Sequence, residues 1–274
     1  MTKLNDIIKV RQAVRETKPL IHAITNPIAM NMLANAILFQ GASPICAQDP
    51  REMEDIVPRT DSLSINLGNI TEERLQAMEI AVRIANRENI PVIIDLVGVG
   101  ISSLRLDFSK KLLAEYHFDL IKGNSSEILA LGGERSHAKG VDVGEADKIG
   151  QDTIADLTTL AREISKKYKT QVLITGETDI LASEKTYYHI KNGTDKLGSL
   201  TATGCMLTGL ISTFLAVTNP IAATILALLI EEISAEDAKS KKPYSFFVEL
   251  MDNIGSIDNE TLIYKANIEW GTYE

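Results

Sequence analysis

Cysteine is scarce in this sequence: Cys46 and Cys205 are the two in 274 residues. That excludes a disulfide framework and suits a reducing compartment. Positive charge is also short, with 28 Lys and Arg against 37 Asp and Glu and a net charge of −9. The deficit argues against non-specific nucleic-acid binding and against docking on anionic membranes. Seventeen glycines and 8 prolines in a chain that is 45% hydrophobic exclude collagen-like and low-complexity readings. No Pro/Ser-rich linker, internal repeat or composition shift divides residues 1–274, so the expectation is a single domain.

Long apolar runs are missing as well. The opening residues place Leu4, Ile7, Ile8 and Val14 at helical spacing among charges, which reads as a surface helix and not a signal peptide. Leu197 to Ile230 carries no charge, but Gly198, Gly204, Gly209 and Asn219-Pro220 break it into pieces. Each piece is shorter than the roughly 20 residues a membrane span requires. A buried helical hairpin and a cytoplasmic location are expected.

Several familiar motifs are absent. Nothing matches the Walker phosphate loop or the G-x-S-x-G elbow. Gly98-Val99-Gly100 begins like a dinucleotide fingerprint but lacks the third glycine, and Asp95 precedes the turn where the fingerprint acid should follow it. His22, His117, His137 and His189 show no ligand spacing with one another or with the cysteines, so no zinc site is suggested.

What the sequence does contain is alternation. Strand-like runs at Leu20–Thr25, Ser43–Ala47, Leu63–Leu67, Val92–Ile94, Leu120–Lys122 and Val172–Ile174 are separated by helical patterns. Helices are expected from Ile28 to about Gln40, briefly around Met53, and from Thr71 to about Glu88. Strands joined by helices give right-handed crossovers and a mostly parallel sheet. Ile180 to Ile190, with Asn192-Gly193 behind it, reads as antiparallel ribbon, and the C-terminal third reads as mainly helical. The fold class is α/β, a central mostly parallel sheet flanked by helices.

Ligands of such sheets bind beyond the carboxyl ends of the strands. The polar residues there are Thr25-Asn26, Asn66, Asp95, Lys122-Gly123-Asn124 and Thr175-Gly176-Glu177. Amides, a carboxylate, a cation and a hydroxyl on one rim suit a nucleotide with its metal. Gly198 to Cys205 is small, polar and uncharged, and it leads into an apolar helix. It is either an anion hole, with the Cys205 thiol made more acidic by the helix start, or a tight turn with Cys205 as a core side chain. Asn124 with Glu127 is either a capping box or a carboxylate aimed at a metal-bound water beside Asp95. Asn26-Pro27 reads as a helix cap with Pro at the first position.

The order of these motifs resembles the hydroxyethylthiazole kinase family, which is ribokinase-like. The resemblance is carried by Pro19 to Asn26 with Asn31, Ala34, Asn35 and Gly41-Ala42-Ser43-Pro44; by Asn66-Leu67-Gly68, and Asp95 with Val97-Gly98; and by Lys122-Gly123-Asn124 with Glu127. Gly140-Val141-Asp142, Thr175-Gly176-Glu177 with Asp179, and Thr201 with Gly204-Cys205 complete it. The resemblance implies transfer of the γ-phosphoryl of ATP to the alcohol of 4-methyl-5-(2-hydroxyethyl)thiazole, in thiamine salvage, by a homotrimer with sites between subunits. It assigns Asp95 and Glu127 to Mg²⁺, Lys122, Thr175 and Asn26 to ATP, Cys46 and Ala202 to the thiazole, and Cys205 to the catalytic position.

Four positions depart from the family's usual residues: Cys46 for Met, Lys122 for Arg, Leu96 for Pro and Ala202 for Gly. Lys122 keeps the charge without the planar fork, and Cys46 shortens the thiazole wall. Glycine at 202 would serve either a positive φ or close approach of the substrate. The branched neighbours Thr201 and Thr203 predict the second, with the backbone relaxed and the Ala202 methyl narrowing the pocket. The rival functions are a ribokinase-like kinase of another alcohol (of hydroxymethylpyrimidine type), a dehydratase repairing hydrated NAD(P)H, and a non-catalytic thiazole- or nucleotide-binding relative.

Overall fold

A computed structural model describes residues 4–133 and 153–273 of the chain. Gly140-Val141-Asp142 and His137 lie outside the described residues. In chain order the elements are α1 (Leu4–Ile8), α2 (Val10–Thr17), β1 (Leu20–Ile24), α3 (Met30–Phe39), β2 (Ser43–Ile45), α4 (Met53–Ile56) and β3 (Ser62–Asn66). There follow α5 (Glu72–Glu88), β4 (Val92–Asp95), α6 (Ser103–Glu115), β5 (Leu120–Asn124), α7 (Ser125–Gly132), α8 (Ile154–Tyr168), β6 (Gln171–Thr175), β7 (Asp179–Ala182) and β8 (Thr186–Ile190). The chain closes with α9 (Thr203–Leu215), α10 (Pro220–Asp237), α11 (Pro243–Ser256), α12 (Asn259–Lys265) and β9 (Ile268–Thr272).

The strands make one sheet in the order β2-β1-β3-β4-β5-β6-β7-β8-β9. Its first six members pair in parallel, and β6 to β9 pair antiparallel. Successive strand residues feed opposite cores, as the two-residue period of a strand dictates. Ile93, Leu120 and Leu173 enter the core on the side of α3, α9 and α10, whereas Ile94, Ile121 and Ile174 enter the core on the side of α5 and α8. Covering both faces is why these strands read as unbroken apolar runs.

The uncharged run forms α9 and α10, and no helix among the described residues is long and apolar enough to cross a membrane. Its polar side chains are spent inside: Ser212 Oγ lies 2.8 Å from Ser62 Oγ of β3, and Thr213 Oγ1 donates to the Gly209 carbonyl at 2.9 Å. Gly209 is where α3 approaches closely, since a Cβ there would stand 2.6 Å from Leu33 Cγ.

One expectation needs correction. The helix after β1 begins at Met30 and not Ile28; Asn26 Oδ1 instead accepts from Ala29 N at 3.0 Å and closes a turn that precedes the helix. The C-terminal third is mainly helical, as expected, and it adds a strand outside that expectation, β9, paired with β8. Five residues beside a helix give too short a pattern to register, and Gly271 has a packing reason that local sequence cannot show: a Cβ would lie 2.5 Å from the Tyr187 hydroxyl.

Candidate active site

The sheet brings Asn26, Asn66, Asp95 and Lys122 to neighbouring carboxyl ends, because β1, β3, β4 and β5 are adjacent and parallel. The start of α9 covers them and adds Cys205 and Thr208. The result is one buried hydrogen-bonded cluster. Asp95 Oδ2 accepts from Thr208 Oγ1 at 2.7 Å, Asn66 Nδ2 at 3.0 Å and Lys122 Nζ at 3.3 Å. Cys205 Sγ accepts from Asn66 Nδ2 at 3.2 Å and Asn26 Nδ2 at 3.3 Å.

Charge in the cluster is unbalanced. Asp95 and Lys122 form an ion pair with side chains only 1% and 4% exposed. Burial alone would push the Lys122 ammonium down, but the negative charges of Asp95, Cys205 and Glu127 outweigh it and hold the group above its ordinary value. Glu127 goes the other way for a carboxyl: burial first, then the Asp95 charge, raises it to about 7. One ammonium thus faces two carboxyl groups, and a further cation would relieve the excess.

Glu127 performs the capping role in full. Its Oε2 accepts from Asn124 N at 2.8 Å while Asn124 Oδ1 accepts from Glu127 N at 2.9 Å. Its Oε1 also accepts from Gly98 N at 2.8 Å, which ties the loop after β4 to α7. Gly98 has φ +77°, and a Cβ there would collide with the Arg105 guanidinium. Arg105 in turn donates to the Val97 carbonyl at 3.1 Å.

Two expectations about the α9 entrance are overturned. Ala202, the residue before α9, has φ +69° and lies in the left-handed region, so the relaxed backbone inferred from its threonine neighbours is wrong. The helix start imposes that conformation locally. The Cys205 thiol is not made more acidic either: burial, with the Asp95 charge, raises it to about 11 against the opposing pull of Lys122 and the two amides. Desolvation inside the cluster is the largest cause.

The remaining expected residues stand apart from the cluster's hydrogen bonds. Thr175 ends β6, in register with Asn124. Cys46 packs half-buried against the α3–α9 core, and burial pushes its thiol up. Sequence reasoning missed Thr208, although its spacing of three from Cys205 puts both on one face of a helix. It also missed a buried acid group beyond β6. Asp179 accepts from Gly176 N at 2.9 Å and bonds Glu232, and burial holds both carboxyls up. Burial likewise raises the neighbouring Glu231 to about 8. Glu231 and Glu232 are the first charges after the uncharged run, the one signal that could have marked them.

No group of three or more His, Cys, Asp or Glu among the described residues could hold a metal ion. The donors present, two carboxyls beside an ammonium, instead match the way Mg²⁺ is bound through one or two carboxylates and the phosphates of a nucleotide. The α9 entrance is open at exposed Gly204: apart from its chain neighbours and its own helix backbone, a Cβ built there meets, among the described residues, only Lys122 Nζ, at 3.6 Å.

Comparison with known proteins agrees with this geometry. The hydroxyethylthiazole kinase family matches residues 11–260. The chain belongs to the hydroxyethylthiazole kinase family. A relative described as hydroxyethylthiazole kinase 2, from Clostridium botulinum strain Kyoto, is 43% identical over 262 residues, covering 95% of this chain and 99% of the relative. One from Methanobrevibacter smithii, described as hydroxyethylthiazole kinase, is 37% identical over 278 residues and covers 97% of each chain. The solved structure of the hydroxyethylthiazole kinase protein from Pyrococcus horikoshii OT3 superposes with TM-score 0.88 at 33% identity, covering 97% of this chain and 99% of that one. Staphylococcus aureus pyridoxal kinase, solved with AMP-PCP and pyridoxal, shares the fold alone, with TM-score 0.64 at 14% identity over 93% of this chain and 99% of that one.

Proposed function

We propose that this chain is a kinase that moves the γ-phosphoryl of ATP to the alcohol of 4-methyl-5-(2-hydroxyethyl)thiazole. The observation that carries the reading is the cluster itself: Asp95, Lys122 and Cys205 joined through Asn26, Asn66 and Thr208 beneath the start of α9. Phosphoryl transfer asks the protein for positioning, charge neutralisation and a proton acceptor. Lys122 supplies positive charge below Gly204. The amides of Thr203, Gly204 and Cys205 precede the first bond of α9, which Met206 N makes to the Ala202 carbonyl at 2.9 Å, so they are available to an anion. Asp95 and Glu127 would hold Mg²⁺, which when bound offsets the charge of the phosphates.

Cys205 is the group we assign to the alcohol proton. Two amide N–H groups and Lys122 favour its thiolate, while burial and Asp95 oppose it. Neutralising Asp95 would remove the smaller of the two opposing effects and so favour the thiolate. Thr175 and Asn26 would contact ATP, and Cys46 and Ala202 the thiazole. Exposed Ile28 follows Asn26 by two residues, and Leu38 and Phe39 on α3, with Tyr244 and Val248 on α11, are exposed too. These exposed apolar side chains support assembly into a homotrimer, and among them Ile28 is the one beside the site. The free cysteines suit a cytoplasmic enzyme.

The test is ADP formation with the purified protein, ATP, Mg²⁺ and the thiazole alcohol, with the phosphorylated product identified by mass. Turnover with hydroxymethylpyrimidine but not with the thiazole alcohol would transfer the reading to the rival kinase. Nucleotide binding without any turnover would reduce the chain to a binding protein.

A further inference from the structure

Asn66 closes β3, is 2% exposed, and makes four side-chain hydrogen bonds, all within the site. Its Oδ1 accepts from Gly68 N at 2.9 Å and from Asn26 Nδ2 at 3.1 Å. A backbone N–H can only donate, so Gly68 decides which end of the amide is oxygen. The nitrogen is thereby turned toward Asp95 Oδ2 at 3.0 Å and Cys205 Sγ at 3.2 Å. Both amide hydrogens and both oxygen lone pairs are then used. A Cβ at residue 68 would lie 2.9 Å from Asn66 Oδ1 and 3.0 Å from Asn26 Nδ2, so the two amides can meet only because position 68 has no side chain.

We propose that Asn66 is a positioning residue for phosphoryl transfer, its amide nitrogen holding the Asp95 carboxylate and the Cys205 sulfur in one fixed relation. The proposal rests on the kinase reading above. Asp95 Oδ2 already has Thr208 and Lys122 as donors, so charge compensation is not what Asn66 adds. What it adds is the link: among the described residues it is the one side chain hydrogen-bonded to both the carboxylate and the sulfur. With Asn26 as second donor, the sulfur is approached by two N–H groups from the strand ends, which fixes its lone pairs relative to the carboxylate. The competing explanation is a turn, in which Asn66 serves only to receive Gly68 N–H. That role needs the oxygen and not the nitrogen.

Two variants separate the roles. Asn66→Asp has the same shape and keeps the oxygen that receives Gly68 N–H, but loses both N–H donors. Asn66→Ser keeps an acceptor for the turn without adding charge. Outer groups that orient reacting ones are typically worth 10–100-fold. Both variants are expected to lower kcat at least tenfold while KM for ATP and for the thiazole alcohol stay within about threefold. In protein free of ATP and metal, the iodoacetamide alkylation rate of Cys205, referred to Cys46 in the same digest, is expected to shift at least threefold in Asn66→Asp. Either variant folding with a smaller loss of kcat, or an unchanged alkylation ratio, overturns the proposal. Failure of both to fold makes Asn66 a turn residue and overturns it too. A wild-type protein that makes no phosphorylated thiazole refutes the functional reading instead, and the alkylation ratio still decides the role of Asn66.

Discussion

Ala202→Gly should make this protein more stable, against the usual cost of introducing glycine. Ala202 sits at φ +69° immediately before α9. An L-residue with a Cβ loses about 1–2 kcal/mol in the left-handed region, where the Cβ crowds the following carbonyl. Glycine removes that strain but gives the unfolded chain more freedom, worth about 0.4–1 kcal/mol. The difference favours the variant by roughly 0.5–1 kcal/mol, about 1–4 °C in melting temperature for a chain of this size. The effect should follow a ladder. Asn, which tolerates this conformation through local hydrogen bonds, should fall between Gly and Ala, and β-branched Val should be clearly worse than Ala.

Thermal melts and urea unfolding of the Gly, Asn, Ala and Val proteins supply the measurement. A glycine variant that melts below wild type would show that the chain at 202 is not strained. A stable variant with markedly lower thiazole KM would show that the methyl acts on the substrate as well.

Asp95→Asn should abolish turnover and also destabilise, by about 3–5 kcal/mol, because it leaves the Lys122 ammonium buried without its partner; adding Lys122→Met should restore the melting temperature and not the activity. Cys205→Ala should lower kcat by about 10²–10⁴-fold with ATP affinity kept, whereas Cys205→Asp should retain substantial activity in the same ADP assay. Glu231, ordinarily at 4.5, is held at about 8 when folded, so its neutral form is favoured by folding. That contribution is complete below about pH 4.5 and disappears as pH rises through 8, so melting temperature should fall from pH 5 to 8, and Glu231→Gln should flatten the fall. Gly209→Ala should cost about 1–3 kcal/mol, read by urea unfolding, as the new methyl drives into Leu33.

Much of the fold was legible because the same pattern recurs at several levels. The helix expected from Thr71 to Glu88 is α5 almost to the residue: Thr71 Oγ1 receives Arg74 N at 3.3 Å, and two glutamates fill the first turn. The strand ends that were rich in amide, acid and base residues do face one another, because parallel strands with helical crossovers all expose their carboxyl ends on one edge. What escaped were features fixed by distant packing. Nothing near Ile268 reveals that β8 has an unpaired edge, and nothing near Gly98 reveals the guanidinium of Arg105 against it. Ala202 was misjudged for the converse reason. Local preference, read from Thr201 and Thr203, lost to the geometry needed to enter a buried helix.

The site was legible as a set of residues and illegible as a set of bonds. Position along the rim placed Asn26, Asn66, Asp95 and Lys122 together, but a residue's neighbours in the sheet do not say which of its atoms are occupied. Glu127 shows the difference. Its bonds show the cap and leave room for the metal role proposed above, since a carboxylate has about four acceptor sites and the two backbone N–H groups use only one on each oxygen. The cap is what delivers the acid: holding Asn124 N–H and Gly98 N–H fixes the carboxyl between α7 and the loop after β4, beside Asp95. The same burial, with the Asp95 charge, raises the group to about 7. The cap and the proposed metal role are therefore compatible at this position, the helix start being the means by which the acid would be aimed.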